Sequence, residues 1–141
     1  MVKRILVPVD RSDRTLVPLI ASLARGAGAT VRLLRVLPVP EVQVGNYGRV
    51  IAYVDQQMES LRGSAMLDLC SVEAELDGVP VESLVRFGDP VEEILLEANA
   101  FSADLVALSA RRRAWPLRAL RASVGDRVAR KAELPVLVLR E

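Results

Sequence analysis

The stretch LSARRRAWPLRALRASVGDRVARKAELPVLVLR, Leu108 to Arg140, reads as strand, basic loop, helix and strand. The apolar run Ala103 to Leu108 opens into a loop bearing Arg111, Arg112, Arg113, Arg118 and Arg121. A helix is predicted from about Ser123 to Lys131, and PVLVL at Pro135 to Leu139 is a further strand. A strand feeding a helix N-terminus is where α/β proteins hold anions, because free backbone N–H groups and the helix dipole converge there. Glycine ordinarily lets the backbone approach a phosphate in such a turn, yet this chain places serine, arginine and alanine.

Upstream, the same alternation of strand and helix repeats. Arg4 to Val9 (RILVPV) is a short apolar run without alternation, as expected of a parallel strand covered on both faces, and it ends at Asp10. Ser12 or Asp13 is a candidate cap for a helix carrying Leu16, Leu19, Ile20, Leu23 and Ala24, which Gly26 and Gly28 stop. Thr30 to Leu37 is the second strand, ended by Pro38 and Pro40. Gly45, Asn46 and Gly48 argue against regular structure before a long helix over Ile51 to Leu76, whose apolar residues recur every three or four. Val81 to Phe87 is the third strand, and Gly88, Asp89 and Pro90 lead into a helix over Val91 to Ala100. This order implies an α/β fold: an open, parallel five-stranded sheet with helices on both faces and right-handed crossovers. In such a sheet the ligand crevice lies beyond the carboxyl ends of the strands, where the strand order reverses. The rim would include Val9, Asp10, Val36, Phe87, Gly88 and Ser109 to Arg113.

Bulk composition narrows the chemistry. At 141 residues the chain suits one domain over residues 1–141. The formal charge is +1, against a nucleic-acid binder, but Arg111 to Lys131 carry eight Lys or Arg against the single acid Asp126. A small anion or an acidic protein is the partner that this loop would suit. Histidine is absent, which removes the commonest general base and transition-metal ligand. There is also no GxxxxGK[ST] phosphate loop and no nucleophile elbow, so an enzyme is disfavoured. The lone Cys70, in the apolar phase of its helix, is expected to be a buried thiol. Only Met1, Val2 and Lys3 precede the first strand and no apolar run approaches the ~18 residues of a membrane span, so a cytoplasmic location without membrane contact is expected.

The chain resembles the universal stress proteins. The matching residues are ILVPVD at Ile5 to Asp10, FGDP at Phe87 to Pro90, ADLVALS at Ala103 to Ser109, and ASVGDRVARKAELPVLVLR at Ala122 to Arg140. The resemblance implies strand order 3-2-1-4-5 and a homodimer formed through the last strand, Val136, Leu137, Val138 and Leu139. It also implies a nucleotide site near Pro8, Val9, Asp10, Val36, Ser109, Arg111, Arg112, Ala122, Ser123 and Val124. Members that bind ATP carry Gly, two residues, Gly, nine residues, then Gly followed by Ser or Thr. Those positions here are Ser109, Arg112, Ala122 and Ser123, so only the serine is kept. An alanine held in left-handed geometry costs about 1–2 kcal/mol, and Arg112 puts a long side chain where phosphates would pass. The expectation is therefore a member with no cofactor in the usual mode. The alternative is ATP, with Mg, held by guanidinium forks in place of the glycines.

Several residues carry a plainer reading beside the functional one. Asp10 can serve a nucleotide or cap its turn, and Ser123 can meet a phosphate or cap a helix. Gly88 and Asp89 read as turn and cap, and Trp115 as an anchor of the basic loop or a stacking surface. The PVLVLR strand has no charge before Arg140 and is an open edge unless paired, which independently favours dimerisation.

Overall fold

The computed structural model describes residues 2–10, 14–40, 49–110 and 124–140. In chain order the elements are β1 (Arg4–Pro8), α1 (Val17–Ala27), β2 (Thr30–Leu37), α2 (Arg49–Glu75), β3 (Val81–Phe87), α3 (Pro90–Phe101), β4 (Leu105–Ala110), α4 (Val124–Lys131) and β5 (Val136–Arg140). The strands form one sheet in the order β3-β2-β1-β4-β5, every registered pair parallel. This is the order expected from the sequence.

The pleat sends alternate residues to opposite faces, and each face has its own core. On one face Ile5, Val7, Val31, Leu33 and Ala107 pack against α1 and α2. On the other, Leu6, Leu34, Val106 and Leu108 pack against α3 and α4. Ile5, Leu6, Val31, Leu34 and Val106 are fully buried, and burying side chains of this size contributes about 1.5–3 kcal/mol each.

Local chemistry sets most element ends. Gly28 closes α1 in left-handed geometry, φ 66°, with its N–H donating to the Ala24 carbonyl. Asp89 caps α3: its carboxylate accepts from the Glu92 N–H at 3.1 Å, and Pro90 occupies the first turn. β4 begins at Leu105 rather than Ala103, and Asp104, just before it, donates its backbone N–H to the Arg4 carbonyl at 2.8 Å. Its carboxylate accepts the backbone N–H groups of Lys3 and Arg4 at 2.8 and 2.9 Å, tying the start of β4 to that of β1.

Four further expectations need correction. Helix α1 starts at Val17 with Leu16 in the cap position and no side-chain cap, with Pro18 in the first turn; Ser12 and Asp13 lie outside the described residues. Its buried residues are Val17, Ile20, Ala21 and Ala24, whereas Leu19 and Leu23 are exposed. Helix α2 starts at Arg49, ahead of the predicted Ile51, and its buried face runs through Ala65, Leu69, Val72 and Leu76. Cys70 falls off that face and is exposed, so the expected buried thiol is not found. With Leu69 facing the sheet, the next residue is rotated by about 100° toward solvent.

Candidate site at the carboxyl edge of the sheet

The strand order reverses between β1 and β4, and the ladders part at that point. β1 pairs with β4 only at Ile5–Leu105 and Leu6–Val106. Above this level β1 continues against β2, Val7 with Leu33 and Pro8 with Leu34, while β4 continues against β5 through Ala110 and Arg140. Each strand follows its outer neighbour, so a cleft opens between Val7–Asp10 and Ala107–Ala110. This is the crevice a doubly wound sheet offers to ligands.

Five predicted site residues are gathered on this edge. Pro8 ends β1 and Val9 donates its N–H to the Leu34 carbonyl at 2.8 Å. Val9 belongs to the α1/α2 core, and the pleat places Ser109, two residues beyond Ala107, on that same side. Val36 faces the other way, into the core beneath α3 and α4. Ser109 is half-buried and level with Leu139 of β5. Asp10 follows at the mouth, exposed. Val124 is the first residue of α4 and packs its side chain into the α3/α4 core, which anchors that end of the helix. Arg111, Arg112, Ala122 and Ser123, together with Trp115 and the rest of the basic loop, lie outside the described residues.

The far rim is built by the turn after β3. Gly88 donates its N–H to the Leu37 carbonyl at 2.9 Å and holds φ 147°, a conformation that side chains rarely adopt. A Cβ there would also lie 3.0 Å from the Glu93 side chain. This turn matches the reading of Gly88 and Asp89 as turn and cap.

Two cations near this edge were not anticipated. Arg35 points to the α1/α2 side with its side chain only 12% exposed and its guanidinium 3.7 Å from Asp68 on α2. Arg62 of α2 lies over the Phe87 ring, 5.6 Å from its centroid. In sequence, the arginines of TVRLLRVL merely interrupt an apolar strand. Their three-residue spacing is the available signal, since it puts Arg32 and Arg35 on opposite faces.

Below the rim, on the α3 side, Glu97 is buried and takes two guanidinium groups. Its carboxylate accepts from Arg32 of β2 at 2.7 Å and from Arg86 of β3 at 2.9 Å. Arg32 also engages Glu82 and stacks on Phe101, 4.2 Å from the ring centroid. Burial pulls its pKa down, but the bonds to Glu82 and Glu97 outweigh this and leave it raised. Among the described residues no group of His, Cys, Asp and Glu could hold a metal ion, and no helix is long and apolar enough to cross a membrane.

The sequence profile of the universal stress protein family matches residues 1–140. The chain belongs to the universal stress protein family. Solved structures of similar fold include a hypothetical protein whose biochemical function was assigned from its structure. It is 23% identical, with 100% of this chain and 97% of that one covered and a TM-score of 0.83. A universal stress protein from Lactobacillus plantarum is 20% identical over 98% of this chain and 97% of its own, TM-score 0.79. A universal stress protein in complex with cAMP is 17% identical over 99% and 97%, TM-score 0.73. No curated protein sequence matches the chain. For this universal stress protein, then, the likenesses establish the fold, and the crevice has to be judged on its own residues.

Proposed function

We propose that this universal stress protein is a cytoplasmic regulatory or binding module, one domain over residues 1–141, that works as a homodimer and does not hold ATP in the usual family mode. One observation carries the reading: the positions of the Gly-x2-Gly-x9-Gly-Ser loop are Ser109, Arg112, Ala122 and Ser123. Ser109 sets a half-buried side chain at the end of β4, beside the parted strands, where a glycine would leave room. An arginine and an alanine at the other two positions add bulk and remove access to positive φ.

The homodimer reading rests on β5, which is a sheet edge with only β4 beside it. Its Leu137 and Leu139 lie against one core and its Val136 and Val138 against the other, all partly exposed. An apolar edge of this kind favours strand pairing with a second copy. Light scattering across a concentration series should give twice the chain mass, and a monomer at all concentrations would sink this part.

A second reading is favoured by the relative solved with cAMP and by the density of arginine after Ser109. In it, guanidinium groups replace the glycines as phosphate ligands and hydrolysis is slow or absent. Isothermal titration with ATP and Mg²⁺, at low and raised salt, separates the two. The first reading expects no heat of binding, whereas micromolar binding that weakens with salt would establish the second. If the missing glycines are the obstacle, Arg112→Gly with Ala122→Gly should raise ATP affinity; an unchanged titration would mean the crevice is closed for another reason.

A further inference from the structure

We infer that the outer face of α4 is a docking surface for a short acidic segment of a partner protein. Seven arginines outside α4 have described side chains, and each engages a carboxylate or a backbone carbonyl. They range from Arg4, which donates to the Phe101 carbonyl, through Arg14 on Glu75 and Arg25 on the Asp77 carbonyl, to Arg86 on Glu93 and Glu97. Arg127 and Arg130 break this habit. Among the described residues neither they nor Lys131 has an ion pair or hydrogen-bond partner, and all three are exposed.

Helical spacing puts these cations together. Positions 127, 130 and 131 are related by three and four residues, so they share one flank of the helix, within about one turn. The core side of α4 is held by Gly125 and Val128, which fixes the direction in which this flank faces. The nearby acids leave the flank net positive: Asp126, four residues before Arg130, is a single carboxylate against three cations, and Glu133, past the helix end, makes no ion pair with the three. The basic residues in the last turn favour the helix dipole, yet that accounts for their sign and not for their lack of partners.

Charge elsewhere in the chain selects the kind of partner. The eight Lys or Arg of Arg111 to Lys131 leave eleven basic and seventeen acidic residues for the rest of the sequence. A long polyanion such as a nucleic acid would meet repulsion from that acidic remainder, whereas a segment with two or three carboxylates fits within the α4 flank. Exposed ion pairs are individually weak, so the docking is expected to be salt-sensitive and to need several carboxylates at once. This surface does not depend on whether the crevice holds a nucleotide.

The test is fluorescence anisotropy of a labelled Asp/Glu-rich peptide with the full chain. Two triple variants are compared, Arg127→Glu/Arg130→Glu/Lys131→Glu and the milder Arg127→Gln/Arg130→Gln/Lys131→Gln. Binding should appear at low salt, fade as salt rises, and weaken roughly tenfold or more in the charge-reversed protein. The glutamine variant, whose thermal unfolding checks the fold, should weaken it less. No peptide binding, or equal binding by all three proteins, overturns the inference. So does tighter binding of a single-stranded oligonucleotide of equal charge, which would make the surface a nucleic-acid site. Low-salt self-association that the variants abolish would assign the surface to a second copy and would also overturn the acidic-segment reading.

Discussion

The two sides of β1 are built to different standards. Toward β2 and β3 the ladders run long, five pairs between β1 and β2 and seven between β2 and β3. Glu97 of α3 ties Arg32 and Arg86 of neighbouring strands from behind. Toward β4 the pairing stops after two residues, and nothing comparable bridges the gap among the described residues. The contrast shows how the fold makes a crevice without giving up its core. Above the split each strand keeps the ladder with its outer neighbour, which holds the sheet together while the inner sides face the opening. The rigid half then carries the rim that faces the opening.

The largest effect should come from the rigid half. Leu34 is fully buried between β1 and β3, and Leu34→Ala should cost about 3 kcal/mol in urea unfolding. The half-buried Leu139, on the open edge, should cost less than about 1.5 kcal/mol on the same truncation. Equal losses at the two positions would mean that the open edge is packed as tightly as the centre of the sheet.

Glu97→Ala should follow, at about 2 kcal/mol. It strands two guanidinium groups, but the Arg32 and Arg86 side chains are 23% and 30% exposed, so water recovers part of the loss. A neutral result would mean that the network covers the sheet face without locking it. Gly88→Ala should cost about 1 kcal/mol, because a side chain is strained at φ 147° and its Cβ would press on Glu93. The same unfolding curves measure it, and an unchanged midpoint would show that the rim turn relaxes freely.

The smallest effect concerns the side-chain tie between the start of β4 and that of β1 below the cleft. The backbone N–H groups of Lys3, then of Arg4, hold the exposed Asp104 carboxylate below its usual pKa. A lowered folded pKa means that the contribution is complete above the unfolded carboxylate range, about pH 4, and disappears as pH falls through the folded value. Asp104→Asn should therefore lower stability near neutrality and flatten the acid limb of the stability profile. An acid limb of unchanged slope would remove Asp104 from the account.

The order of elements is legible in the sequence. β2 and β3 fall on Thr30–Leu37 and Val81–Phe87 as read, since dense apolar runs bounded by proline, glycine and aspartate leave little freedom. The Gly28 stop and the Asp89 cap were legible for the same local reason. So was the family, through motifs whose order spans the chain. Of the site, the sequence placed Pro8, Val9, Val36 and Ser109 at strand ends, because parallel strands point their carboxyl ends at the same edge. Packing on the sheet sets which way helical residues turn. Leu19, Leu23 and Cys70 match an apolar period yet stand outward, because a helix presents several apolar stripes and the sheet selects one. The three-dimensional arrangement also sets that β1 and β4 part above Leu6, and that Arg32 and Arg86 meet on Glu97. These partners are separated by dozens of residues in the chain or belong to different elements, and their pairing depends on strand register, which no local pattern encodes.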